Sequence, residues 1–284
     1  MTVDTPRVAP IDYVDRWRQL VAAREAQGRR LDRLGDRPDH WAGDRAARFR
    51  RMTMRPGAAD PLLTLIRPLV GPNSSVLDVG AGTGRHVLPL APLVAAVTAV
   101  EPSAAMRDQL TAVVREADLG NVKIIASGWP TDEAAPADLV ICSHVAYFVA
   151  AIEPFLRQID RVSRGRAFVV LRHQQREIAI LDLFERIWGE TRCPEPSFAD
   201  LFGVACQLGI YPNVATIPFS AAAGFEAIDD AVPMIQADLL NPEGPDVERK
   251  ITDYLRERMV HRDGRWQFDV PPTSAGVLWW EASV

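Results

Sequence analysis

The chain has 284 residues, of which 48% are hydrophobic and 24% charged, and its formal net charge is −5. Such a chain can bury its own core without disulfide or metal staples, and collagen-like and wholly disordered architectures are excluded. The acidic balance speaks against a general nucleic-acid binder, and the longest uncharged apolar run, residues 86–100 with two prolines, is too short to span a membrane.

Residues 10–34 read as an amphipathic helix, with Ile11, Val14, Trp17, Leu20 and Val21 near helical spacing. A polar stretch follows, then helical segments over Arg45–Met54 and Leu62–Leu69. From Ser75 the pattern alternates. Short apolar strands are expected at Ser75–Val79, Ala96–Val100, Val122–Ala126, Leu139–Cys142 and Ala167–Leu171, with helices at Arg85–Leu93, Ser103–Ala117 and Ile152–Val162. Helices at Glu177–Trp188 and Phe198–Leu208, a strand at Asn213–Pro218, helices over 225–240 and 246–260, and a last strand at Gly276–Glu281 complete the reading. Repeated strand–helix units with short buried strands predict an α/β fold: a doubly wound, mostly parallel seven-stranded sheet, with N-terminal helices and a helical insertion before the last strand.

The chemistry is concentrated in Val76-Leu77-Asp78-Val79-Gly80-Ala81-Gly82-Thr83-Gly84-Arg85. A buried strand runs into a glycine-rich turn and then a helix, so a ligand can approach bare backbone beside unpaired N–H groups. Glu101 stands at the end of the second strand, where an acid suits both hydroxyls of a ribose. The glycine spacing is G-x-G-x-G, not the dinucleotide pattern G-x-G-x-x-G, and Asp78 precedes the first glycine by two. An acid there repels a pyrophosphate and suits an ammonium group.

This stretch resembles motif I of the class I S-adenosylmethionine-dependent methyltransferases, a Rossmann-like family. The resemblance continues through Ala99-Val-Glu-Pro-Ser103 and Ala137-Asp-Leu-Val-Ile-Cys142, covering roughly residues 74–172. It implies S-adenosyl-L-methionine as cofactor. Gly80, Ala81 and Gly82 would lie against its amino-acid part, Asp78 would reach its ammonium, Glu101 would hold the ribose, and Pro102 would flank the adenine. Met106 is either an adenine neighbour or core. Where many members carry an acid for the adenine amine, this chain has Ser127-Gly128-Trp129. Trp129 either covers the adenine or packs in the core, and Gly128 and Ser143 complete the expected cofactor contacts.

After the fourth strand, Ser143-His144-Val145-Ala146-Tyr147-Phe148 falls at the carboxyl end of the sheet, where ligands bind in doubly wound folds. His144 and Tyr147 are the candidate catalytic residues. His144 either takes a proton from the acceptor or only shapes the pocket. Arg172 and His173, ending the fifth strand, and Trp17 are candidate substrate contacts. Tyr13 and Trp41 join Trp17 as aromatics able to wall an apolar pocket.

No metal-ligand spacing links His40, His86 or His261 to a Cys, Asp or Glu, and Cys142, Cys193 and Cys206 show no disulfide framework. With no apolar stretch at the N-terminus, the expectation is a reduced, cytoplasmic enzyme without membrane or nucleic-acid partners. The expected organisation is an N-terminal helical cap, 1–72, and a Rossmann-like methyltransferase domain, 73–284, with its insertion at about 224–262. Both additions would fold over the crevice, which favours a small-molecule acceptor. The alternatives are a protein or tRNA methyltransferase, with the 13 arginines of residues 1–60 as docking surface, and a non-catalytic cofactor-binding partner of another methyltransferase.

Overall fold

The computed structural model describes residues 10–32, 39, 41–54, 60–175, 177–219, 224–262, 264–269 and 273–282. The N-terminal part forms helices α1 (Tyr13–Leu31), α2 (Asp44–Thr53) and α3 (Pro61–Ile66). The alternating part follows as β1 (Ser75–Val79), α4 (Val87–Leu90), β2 (Ala96–Val100), α5 (Ala104–Glu116), β3 (Val122–Ile125), β4 (Ala137–Ser143), α6 (Ile152–Val162) and β5 (Ser163–Arg172). Then come α7 (Leu181–Trp188), α8 (Phe198–Gln207), β6 (Asn213–Phe219), α9 (Val232–Asp238), α10 (Val247–Arg258), the hairpin β7 (Met259–Arg262) and β8 (Arg265–Phe268), and β9 (Thr273–Glu281).

The main sheet has seven strands in the order β3-β2-β1-β4-β5-β9-β6. β1 to β5 pair in parallel, and β9 runs antiparallel between β5 and β6. The order reverses between β1 and β4, which opens a crevice at their carboxyl ends. The expected sheet is present. The last strand is interior, between β5 and β6, with Ala275, Val277 and Leu278 fully buried.

Each face of the sheet carries its own core. One is filled from α3, α4 and α5, with Ile66, Leu90 and Leu110 against Val97, Ile141 and Val170. The other is filled from α6, α8 and α1, with Phe155, Leu201 and Trp17 against Leu77, Val140 and Leu278. α1 is capped by Asp12, whose side chain accepts the Asp15 N–H, and its buried stripe runs Trp17, Val21, Arg24, Gln27 and Leu31. Two polar residues on that stripe already mark a polar layer beneath the helix.

Three expectations change. The helix foreseen at Arg85–Leu93 is a turn followed by one α-helical turn, because the positive-φ glycines and Pro89 shorten it. Residues 225–240 hold only α9 as α-helix, and β7 and β8 form a hairpin where helix was foreseen to residue 260 and no element beyond it. The insertion also has its own core: α9 and α10 pack with α7 and Leu31, around Phe184, Ile251 and Leu255. The C-terminal end of the helix expected over 10–34 lies outside the described residues, as does His40.

Candidate functional site

Asp78, one residue before the end of β1, has its side chain buried; its Oδ2 has no hydrogen-bond partner, and His86 Nδ1 lies 4.0 Å from it. Burial raises its pKa to about 6, only partly opposed by His86, and Glu101 adds to the rise. A buried carboxylate oxygen without a donor is costly, and an arriving cationic donor relieves that cost.

The glycine turn beside it divides its work. Gly80, Gly82 and Gly84 all have positive φ. A Cβ on Gly80 would collide with the Val145 side chain, so this glycine lets the loop close onto the segment after β4. A Cβ on Gly82 would meet nothing within 4 Å, so its side faces open space. Ala81 is buried between them.

Glu101 closes the loop from the neighbouring strand. Its Oε2 accepts the Gly82 N–H at 2.8 Å and its Oε1 accepts the Ser103 N–H at 2.9 Å. Burial raises its pKa, with the two backbone N–H groups opposing. Pro102 and Gly128 are exposed on the same edge, and Ser143 is half-buried at the end of β4. Trp129 is half-buried, and its indole N–H donates to Phe155 O at 3.2 Å, which anchors it on α6. Met106 is core, 2% exposed.

His144 follows β4 with φ +61°, and its N–H donates to Val170 O at 2.9 Å. Its Nδ1 lies 2.9 Å from the Tyr147 hydroxyl, and that hydroxyl accepts the Arg172 backbone N–H at 2.7 Å. The phenol oxygen, already accepting one N–H, can still either donate its proton to Nδ1 or accept a second N–H from it, so the direction of this bond follows the imidazole tautomer. Burial first, then the Arg172 charge, holds the His144 pKa well below its ordinary value, so the ring is neutral near pH 7. Burial also pushes Tyr147 up to about 12, against the pull of Arg172.

The expected substrate residues fall in different places. The Arg172 guanidinium lies over the Tyr147 ring, Cζ to centroid 4.3 Å, and its Nη2 donates to Glu195 Oε1 at 3.0 Å. His173 is exposed and packs edge-on against Phe198 at 4.7 Å. Trp17 is fully buried and its indole N–H donates to Val149 O at 2.8 Å, so it fastens α1 to the core behind the crevice and presents no surface to a ligand. Tyr13 packs beside that core and over Gly203, and Trp41 packs on Phe49 at 4.9 Å.

Several site neighbours carried no sequence signal. Asp39 accepts the Ser103 hydroxyl at 2.9 Å and the Ala105 N–H at 3.2 Å, Thr83 Oγ1 lies 3.6 Å from Met54 Sδ, and Asp60 takes Arg85 Nε at 2.8 Å with His86 Nε2 at 3.4 Å. Burial raises Asp60, but His86 and Arg85 outweigh it and hold the carboxyl well below the usual range. The N-terminal cap thus touches the glycine-loop side of the crevice at three points. Among the described residues, no group of three or more His, Cys, Asp or Glu is arranged to hold a metal ion, and no helix is long and apolar enough to cross a membrane.

Residues 77–171 match a family model described as a methyltransferase domain. In fold, the chain is similar to the YcgJ protein of Bacillus subtilis (TM-score 0.53, 14% identity, covering 79% of this chain and 98% of that one). It is also similar to the protein BH2331 of Bacillus halodurans C-125 (TM-score 0.52, 15% identity, 80% and 100%). No curated protein matches the chain in sequence.

Proposed function

Residues 77–171 carry a methyltransferase domain, and we propose that the chain is a class I S-adenosylmethionine-dependent methyltransferase whose methyl acceptor is a small molecule enclosed at the carboxyl ends of β1, β4 and β5. The observation that carries this reading is the set of contacts that flank the crevice on both sides. Asp39, Met54 and Asp60 lie on Ser103, Thr83 and Arg85 at one side, and Glu195 and Arg24 hold residues 177–195 against Arg172 and α1 at the other. A bulky macromolecular acceptor needs an open approach; a compact one benefits from an enclosed, water-poor pocket.

The residues fit the cofactor. Asp78 offers the unbonded Oδ2 of its carboxylate to its ammonium, and Gly82 leaves the space beside it empty. Glu101, ionised, exchanges one of its backbone donors for ribose hydroxyls, with Pro102, Gly128, Trp129 and Ser143 around the adenosine. When bound, S-adenosylmethionine supplies a methyl group on a sulfonium, electrophilic enough that in-line alignment is the main requirement. Tyr147 fixes the orientation of the His144 ring through Nδ1. In this reading the neutral ring orients the acceptor through Nε2. Arg172 and His173 face the acceptor from the end of β5.

The test is an S-adenosylhomocysteine-release assay on a panel of small molecules beside RNA and protein fractions. Turnover confined to small molecules supports the reading. Turnover confined to a macromolecular fraction, with product mass found on RNA or protein, contradicts it.

A further inference from the structure

Beside the crevice lies a buried cluster of charges whose signs do not balance. Arg24, Glu177 and Glu195 are buried, and Arg172 and Arg192 are half-buried. Arg24 Nη2 lies 2.5 Å from Glu177 Oε1 and 3.8 Å from Glu195 Oε2, while Arg172 takes Glu195 Oε1. Arg192 Nη1 donates to Gln27 Oε1 at 2.9 Å and its guanidinium stacks on Phe184. Burial, then the charge of Arg24, lowers the Arg192 pKa to about 10. Among the described residues of this cluster, three guanidinium groups face two carboxylates.

The excess positive charge points toward the crevice through Arg172. Its side chain keeps 14% exposure, against 9% for Arg24 and 4% for Glu195. Glu195 engages it through Nη2, and its buried Nε has no hydrogen-bond partner. A guanidinium presents five donors in a planar fork matched to a carboxylate, so this one is not saturated. It lies on Tyr147, whose hydroxyl bonds His144, at the wall where the acceptor is placed above.

Resting on the small-molecule reading above, we propose that the acceptor, or the product it becomes, carries a carboxylate, and that Arg172 selects for it. The planar guanidinium fork matches the two coplanar oxygens of a carboxylate, through the donors that Glu195 leaves open. Glu195 tempers the site. It stabilises Arg172 in the empty enzyme and competes with the incoming carboxylate.

The test is calorimetric titration of the S-adenosylhomocysteine-loaded protein with carboxylic acids (benzoate, phenylacetate, cinnamate, hexanoate) and their matched primary amides. At least one acid should bind ten-fold or more tightly than its amide. Arg172→Lys and Arg172→Gln should reduce that preference to three-fold or less, with S-adenosylhomocysteine affinity unchanged. Glu195→Gln should tighten acid binding several-fold, a gain that damage to the fold would not produce. Equal binding of acids and amides, no binding of any acid, or an unchanged preference in Arg172→Gln would overturn the proposal. So would a loss confined to S-adenosylhomocysteine affinity, which would assign the charge to the cofactor's own carboxylate. Failure of the small-molecule reading shows separately, as turnover confined to RNA or protein.

Discussion

Glu101 reaches back across the sheet to Gly82: one carboxylate oxygen accepts the Gly82 N–H at 2.8 Å and the other accepts the Ser103 N–H at 2.9 Å. The acid expected to hold a ribose therefore also sets the glycine loop. Glu101→Gln keeps one acceptor but loses the charge, and should weaken S-adenosylhomocysteine binding by about 1–3 kcal/mol, the scale of a charge-assisted hydrogen bond. Calorimetry on the variant checks it, and circular dichroism confirms the fold.

Two neighbouring glycines should fail in different ways. Gly80→Ala drives a methyl group into Val145 and should lower the melting temperature. Gly82→Ala meets open space and costs only the strain of its positive φ, about 1–2 kcal/mol, yet should cut cofactor affinity at least ten-fold. Thermal melts and S-adenosylhomocysteine titrations on both variants separate the effects. Equal loss of affinity and stability in both would show that the loop acts as one rigid unit.

Asp78 gives the cofactor affinity a pH dependence. With a pKa of about 6 in the empty protein, the carboxyl is largely protonated at pH 5, so affinity should fall about ten-fold between pH 7 and pH 5. The stability sign is opposite. A folded pKa raised above the unfolded value contributes stability that is present below about pH 4 and lost as pH rises through about 6. Asp78→Asn should thus raise the melting temperature of the empty protein at pH 7, weaken S-adenosylhomocysteine binding, and flatten its pH profile between 5 and 7. Titrations across that range check all three.

Tyr147→Phe removes the hydroxyl between His144 Nδ1 and the Arg172 N–H. The predicted result is a lower kcat with little change in S-adenosylhomocysteine affinity, at a stability cost of about 1–3 kcal/mol for the donor left unpaired. His144→Ala should act in the same direction. Because His144 stays neutral well below its ordinary pKa, kcat/KM should show no ionisation near pH 6.5 that His144→Ala abolishes.

Trp17 bears on the N-terminal helices. Deleting residues 1–42 is expected, from sequence alone, to remove acceptor binding and spare cofactor binding. With Trp17, Val21 and Leu31 all buried, the same deletion opens the core. Trp17→Ala alone should cost about 3–5 kcal/mol, measurable by urea denaturation. Asp39→Ala is the milder probe of the cap, since its bonds to Ser103 and Ala105 lie beside the cofactor edge and outside the core.

The alternating apolar strands, the glycine turn and Glu101 were legible because buried parallel strands and left-handed turns demand particular residue types. Trp17 misled, because a lone aromatic on a helix suits a pocket wall and a core equally. The hairpin at 259–268 was missed because its strands are short and continue a helix whose pattern masks them. Asp39, Asp60 and Glu195 had no local signal: their partners lie 64, 25 and 23 residues away in the chain, and only the fold brings them together.

The central claim is that Asp78, Gly82 and Glu101 form a cradle for S-adenosylmethionine. Its most direct test is calorimetric titration of S-adenosylhomocysteine into the wild-type protein and Gly82→Val at pH 7.5. The account predicts one saturable site of micromolar affinity in the wild type and none in the variant. Absence of binding to the folded wild type, or undiminished binding to the variant, would contradict it.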